Sequence, residues 1–166
     1  MIKAPLPRNE AQRLLALREL LILDTAPEER FDRISAFAAK EFDVPMALVS
    51  LVDRDRQWFK SNFGLEERET PRDTSFCGHA ISERDALVVP DALKDPRFRD
   101  NPMVVGKPYI RFYAGCVLRL PYGQVVGTLC VMDRRPRDFD RLDLAILRGL
   151  RDVVVEELVR REEAVS

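Results

Sequence analysis

The sequence predicts an α+β domain, an antiparallel sheet with helices from both chain ends packed on one of its faces. Two observations lead there. Residues 110–133 read as a β-hairpin at the centre of a sheet: two runs rich in β-branched, aromatic and other apolar residues flank a turn in which Pro121 presets φ and Gly123 supplies a positive φ. Residues of both parities along each run are apolar or small, so both faces of the hairpin need cover. The element order α-α-β-β-α-β-loop-β-β-α then leaves the terminal helices to cover one side. A chain of 166 residues fits one domain, 1–166, and buries roughly 70% of the surface its unfolded form exposes.

The elements follow in order. Residues 1–8 are an extended, Pro-rich start, and helices occupy 9–42. Asn9 can cap the first, which runs to about Leu23 with Leu14, Leu17 and Leu21 as its stripe. Thr25 and Glu28 have capping-box spacing and Pro27 suits a first turn, so a second helix starts there. It presents Phe31, Ile34, Ala38 and Phe42 on one side and ends before Pro45. Sheet and loops occupy 46–133. Within them 46–53 and 56–62 form a second hairpin, and Trp58 and Phe59 point to opposite faces. Residues 65–73 read as a charged surface loop, and 74–83 as a short helix capped by Asp73 or Thr74. A strand at 87–90 precedes a long connection, 92–109, whose apolar content argues for an ordered cover. The last helix, 138–163, is capped by Asp138 or Asp140 and carries Leu142, Ile146, Leu150, Val153 or Val154, and Leu158. Leu15, Leu20, Val155 and Val159 exceed what one sheet face needs, which points to a homodimer through the terminal helices.

Composition excludes several classes. A net charge of −1 with 33% charged residues gives no basic face for nucleic acid. No apolar run approaches the ~20 residues of a membrane span, and the N-terminus lacks the apolar core of a signal peptide, so a cytoplasmic protein without membrane contact is expected. Cys77, Cys116 and Cys130 are widely spaced and His79 is the only histidine, so no zinc set, and no other metal or cofactor site, is expected. Cys77 sits in the first turn of the short helix, where a thiolate is favoured; the alternative is a small buried residue. His79 either bonds a ligand or is satisfied by a backbone carbonyl or Asp91. Cys116 and Cys130 lie on paired strands, where they can face each other or simply fill the core. Arg111, Phe112 and Tyr113 combine a cation, a ring and a hydroxyl, suited to an anionic or aromatic ligand or to core packing with an Arg–Asp bridge.

Blocks of residues along nearly the whole chain resemble the GAF domain, a small-molecule sensor module of bacterial signalling proteins. They are Leu23-Asp24-Thr25, Val49 to Asp53 with Arg56-Gln57-Trp58-Phe59, Ser75 to Ile81, Val89-Pro90-Asp91, Asp95 to Phe98, Arg111 to Gly115 and Gly127 to Asp133. The resemblance implies a GAF/PAS-like fold, a central six-stranded antiparallel sheet with N- and C-terminal helices on one face and a ligand pocket on the other. The pocket would be closed by 76–81 and 92–109 and lined by Trp58, Phe76, Cys77, His79, Asp91, Arg111 and Tyr113. The implied function is a non-catalytic sensor that binds an unidentified small molecule and transmits through a helical homodimer to a signalling protein partner. Two alternatives accompany it: a thiol-dependent reductase of the free methionine sulfoxide type using Cys77, and a ligand-free dimerisation scaffold. The Asn-Lys-Phe-Asp-Glu set of the cyclic-nucleotide-binding relatives is not visible.

Overall fold

A computed structural model describes residues 1–165. Six antiparallel strands, β1 (Met46–Val52), β2 (Arg56–Phe63), β3 (Glu69–Pro71), β4 (Ala86–Val89), β5 (Phe112–Arg119) and β6 (Val125–Asp133), form one sheet in the order β3-β2-β1-β6-β5-β4. β1 and β6 are fully buried along their length because they occupy its middle and both faces are covered. At Gly127 a side chain would collide with the Ser50 carbonyl of β1, so only glycine allows that approach. The six-stranded antiparallel sheet and the α+β class agree with the expectation.

One face is covered by helices α1 (Glu10–Glu19), α2 (Glu29–Phe42) and α5 (Arg141–Val165). The stripe Phe31, Ile34, Ala38 and Phe42 of α2 and Leu147, Val154 and Leu158 of α5 pack on Val49, Leu51, Trp58, Phe112 and Leu129. The other face is covered by the five-residue α3 (Phe76–Ala80) and by the segment 92–110, which is ordered by a 3-10 turn at Ala92–Lys94 and the short α4 (Pro102–Val105). Asn101 caps α4 through the Met103 amide, and its side-chain amide donates to the Thr74 carbonyl, tying the cover to the entrance of α3.

Several local expectations are corrected. α1 ends at Glu19, and Leu21 leaves the stripe with a φ of 52° and an exposed side chain. The Asn9 side chain bonds Gln124 instead of capping α1. No capping box forms at α2: the Thr25 hydroxyl donates to Ile22, and Glu28 faces Lys60 and Arg161. α3 is capped by Ser75, whose hydroxyl accepts from the Gly78 amide, not by Asp73 or Thr74. The charged loop contains the edge strand β3, too short to show alternation. Of the last stripe Leu142 is exposed and Leu147 replaces it in the core. Asp140 caps α5, its carboxylate accepting from the Asp143 amide. Leu20 is buried within the chain, while Leu15 is exposed and Val155 and Val159 are half-buried.

Candidate functional site

The register of the central strands decides what faces α3. Tyr113 pairs with Met132, Gly115 with Cys130 and Val117 with Thr128, and the side chains of this parity point away from the terminal helices. Phe112, Ala114 and Cys116 point to the helices. Cys116 and Cys130 therefore lie on opposite faces and do not meet. Gly115 leaves room for the Tyr113 ring, since a side chain there would stand 2.2 Å from the Tyr113 hydroxyl.

α3 lays Phe76 and Cys77 onto that surface. The Phe76 ring stacks between Phe98 (centroids 4.2 Å apart) and Tyr113 (5.1 Å), with the edge of His79 on Phe98. The Cys77 sulfur sits 3.0 Å from the Thr128 hydroxyl, 3.3 Å from the Tyr113 hydroxyl and 4.0 Å from the Cys130 sulfur. A buried polar chain continues beside it: the Ser50 hydroxyl donates to the Gln57 side-chain carbonyl, and the Gln57 amide donates to Thr70 at the sheet edge. Burial pushes the Cys77 thiol up, but hydrogen bonds chiefly from Cys130, Thr128 and Tyr113 outweigh it and bring the thiol down to about 7. Cys130 is held well above its ordinary value by its hydrogen bond to Cys77 and by burial, and burial likewise raises Tyr113. The group is a sulfur hub able to hold one negative charge on Cys77.

Not all the expected site residues join this hub. Phe76, Cys77 and Tyr113 do, and His79 flanks it. His79 Nε2 lies 3.0 Å from the Ile2 carbonyl, and burial lowers its pKa, with that carbonyl opposing. Trp58 packs on the helix face. Asp91 and Arg111 form a bidentate pair at 2.9 and 3.0 Å outside the hub, and Asp91 also caps the 3-10 turn through the Leu93 amide. The residues that spacing alone missed are Thr128, Cys130, Ser50 and Gln57. Strand parity carries a signal for two of them, since Thr128, Cys130 and Met132 alternate on one face of β6.

The space enclosed by Leu48, Phe59, Phe76, Cys77, Tyr113 and Met132 is about 10 Å³, room for about one water. Anything larger enters only by displacing the aromatic stack. Wider grooves of about 500 Å³ are open ones, such as that between Asp32 and Arg33 of α2 and Lys60, Asn62 and Arg68. Among the described residues no group of three or more His, Cys, Asp or Glu is placed to hold a metal ion, and no helix is long and apolar enough to cross a membrane.

Residues 26–158 match the model of the GAF domain family. A cyclic di-GMP phosphodiesterase of Pseudomonas aeruginosa is 42% identical over 159 residues, which are 95% of this chain and 27% of that protein, so the chain spans about a quarter of the relative's length. Among solved structures, the free methionine-R-sulfoxide reductase of Neisseria meningitidis superposes with a TM-score of 0.68 at 18% identity, covering 99% of this chain and 98% of the other. A GAF domain from an Acinetobacter phosphoenolpyruvate-protein phosphotransferase gives 0.67 at 17% identity, covering 92% and 96%. At these identities the two structures show a shared fold alone. The expected function, a non-catalytic small-molecule sensor signalling through a helical dimer, is corrected by the Pseudomonas relative, which is named for an enzymatic activity on cyclic di-GMP. Family-level resemblance located the fold and said nothing of an activity such as the one that relative is named for.

Proposed function

The chain belongs to the GAF domain family, and we propose that it is the module through which a cyclic di-GMP phosphodiesterase is controlled. The observation that carries this reading is the 42% identity to the Pseudomonas enzyme along 95% of the chain. Because the chain spans 27% of that enzyme, phosphodiester hydrolysis belongs in this reading to a further part of a longer protein or to a partner. The GAF module supplies control, the general role of its fold.

The structure supports a controlling role through its connections. The Arg72 carbonyl accepts from the Ser75 hydroxyl at the start of α3, and the Arg72 guanidinium grips Glu10 of α1 at 2.6 Å. Glu10 also holds Arg13, which donates to the Val52 carbonyl. Ser75, the cap of α3, is thus joined to α1 through Arg72, by a neutral hydrogen bond to its carbonyl and a charged one from its guanidinium to Glu10. A shift of α3 over the sulfur hub reaches α1 by that route. On the opposite face α5, about 37 Å long by its 25 residues, packs on β5 and α2 and anchors Arg161 on the Leu20 carbonyl and Glu28. Three unpaired cysteines suit a cytoplasmic module.

The test is cyclic di-GMP hydrolysis by the Pseudomonas enzyme with its matching segment replaced by this chain. The chimera should hydrolyse cyclic di-GMP, and Tyr113→Phe within the grafted chain should change the rate several-fold. A chimera whose rate equals that of the enzyme lacking the segment, and does not respond to Tyr113→Phe, overturns the reading.

A further inference from the structure

The reading above leaves the chemistry of the two thiols in the sulfur hub unused. Cys77 comes from α3 and Cys130 from the middle strand β6, both are fully enclosed, and their sulfurs are 4.0 Å apart. A disulfide requires about 2.05 Å, so a closure of about 2 Å is needed, within the reach of side-chain rotation and a small settling of a five-residue helix. The two thiols are also chemically unequal. Hydroxyls of Thr128 and Tyr113 and the thiol of Cys130 converge on Cys77, which is the arrangement that stabilises a thiolate, and Cys130 is left as its protonated neighbour. Cys116 faces the terminal helices, where burial pushes its thiol up to about 12.

We infer that Cys77 and Cys130 are a reversible disulfide site, oxidised by a hydroperoxide with Cys77 as the attacking sulfur and Cys130 as the resolving one. In the first step the Cys77 thiolate attacks the terminal oxygen of the hydroperoxide. The O–O bond breaks, Cys77 becomes a sulfenic acid, and the leaving oxygen departs as alcohol, or as water from hydrogen peroxide, with the proton the thiol had released. In the second step the Cys130 sulfur attacks the Cys77 sulfur. The S–O bond breaks, the hydroxide leaves as water with the Cys130 proton, and the S–S bond forms. Each sulfur has given one electron and the peroxide has taken two. A dithiol returns both electrons and restores the thiols.

The surroundings select the oxidant. The space beside Cys77 holds about one water, so hydrogen peroxide, with its two oxygens, enters with a small displacement of the aromatic stack, where a bulky oxidant would have to open it widely. Closing the bond draws α3 onto β6 and moves Cys77 off Tyr113, on which Phe76 stacks. The disulfide stands on this geometry alone and does not depend on the link to cyclic di-GMP.

The experiment treats the reduced chain with hydrogen peroxide, alkylates it under denaturing conditions and maps the peptides by mass. The expected product has lost two hydrogens, takes up alkylating agent only at Cys116, yields one peptide pair joining Cys77 to Cys130, and returns to three free thiols with dithiothreitol. In Cys130→Ser the same treatment leaves a Cys77 sulfenic acid that dimedone traps. Three alkylated thiols after peroxide, a link that includes Cys116, or oxygen added to Cys77 without a link in the unaltered chain would each overturn the proposal. The unaltered chain decides the matter if the serine variant does not fold.

Discussion

Both faces of the sheet are closed, but by different means. On the helix face, side chains of α2 and α5 meet the sheet in a largely apolar interior, and the enclosed Lys60 ammonium there is fully partnered: it donates to Thr25, Ala26 and Glu28, and Arg161 reaches the same carboxylate. On the α3 face, two thiols and two hydroxyls stand among the apolar side chains at the middle of the sheet. A buried polar group costs stability unless it is fully bonded, and an apolar packing of the same shape would serve the fold at least as well. The helix face is therefore the part that holds the domain together, and the α3 face the part whose composition needs a reason beyond stability.

The largest expected effects lie on the helix face. Phe31→Ala removes a ring with no exposed surface that packs under the terminal helices and 5.9 Å from the Lys60 ammonium, and should cost about 4 kcal/mol. Urea denaturation followed by circular dichroism reads this directly, and a loss near 1 kcal/mol would erase the distinction between the faces. Lys60→Met comes next, at about 3 kcal/mol. Burial lowers the Lys60 pKa, with Glu28 opposing, and its side chain is completely enclosed. The value sits at the low end for a broken buried pair because Arg161 remains on Glu28. A guanidinium titration compared with that of Glu28→Gln would show whether the two losses are shared, as expected for one network.

The α3 face should show itself through pH. The Cys77 thiol is at about 7 in the fold against an ordinary 9.0, so its ionised form is favoured by folding. A group depressed in this way contributes above its unfolded value and loses the contribution as pH falls through its folded value. Between about pH 9 and pH 7 the chain should lose about 2–3 kcal/mol of stability that Cys77→Ser does not lose. Above pH 9 the sign reverses. The hydrogen bond to Cys77 and burial raise Cys130, and burial raises Tyr113, so both stay protonated in the fold while their unfolded counterparts ionise. Thermal melts of the two proteins across pH 6 to 10, subtracted from each other, give the curve; a flat difference would remove the thiolate from the α3 face.

The two faces were unequally legible in the sequence. The stripe Phe31, Ile34, Ala38, Phe42 has helical period and an apolar destination, so periodicity named four of the residues that α2 buries and passed over Ser35 and Ala39 beside them. The hairpin β5–β6 was legible because both strands are apolar at both parities, although only β6 lies at the middle of the sheet, where its partner is β1. β3 was lost because three residues show no period, and the end of α1 because Leu20 and Leu21 look alike although only Leu20 is buried. At the hub, Cys77 and Tyr113 stood out by chemical type. Thr128 and Cys130 read as ordinary strand residues, and their convergence on Cys77 depends on register between β5 and β6 and on where α3 lands, neither of which local spacing carries. Asp91 and Arg111 were expected at the site for their charge, but satisfy one another outside it.

The smallest effects test how tightly the hub is coupled to the sheet beneath it. Tyr113→Phe keeps the ring in its stack and removes one hydroxyl from Cys77, which should cost about 1 kcal/mol. It should also raise the Cys77 pKa, measurable as a smaller pH effect in the melts. Gly115→Ala presses on the same hydroxyl from below, because the new methyl would lie 2.2 Å from the Tyr113 oxygen and 2.7 Å from the ring carbon that bears it. The stack with Phe76 opposes movement of the ring, so overpacking of about 1–2 kcal/mol is expected. The double variant removes the oxygen that clashes and should be more stable than the sum of the single losses, though the ring carbon keeps part of the strain. Strict additivity would mean that Tyr113 moves freely over Gly115. The α3 face would then be soft where the helix face is rigid, and Tyr113 could not fix the charge on Cys77.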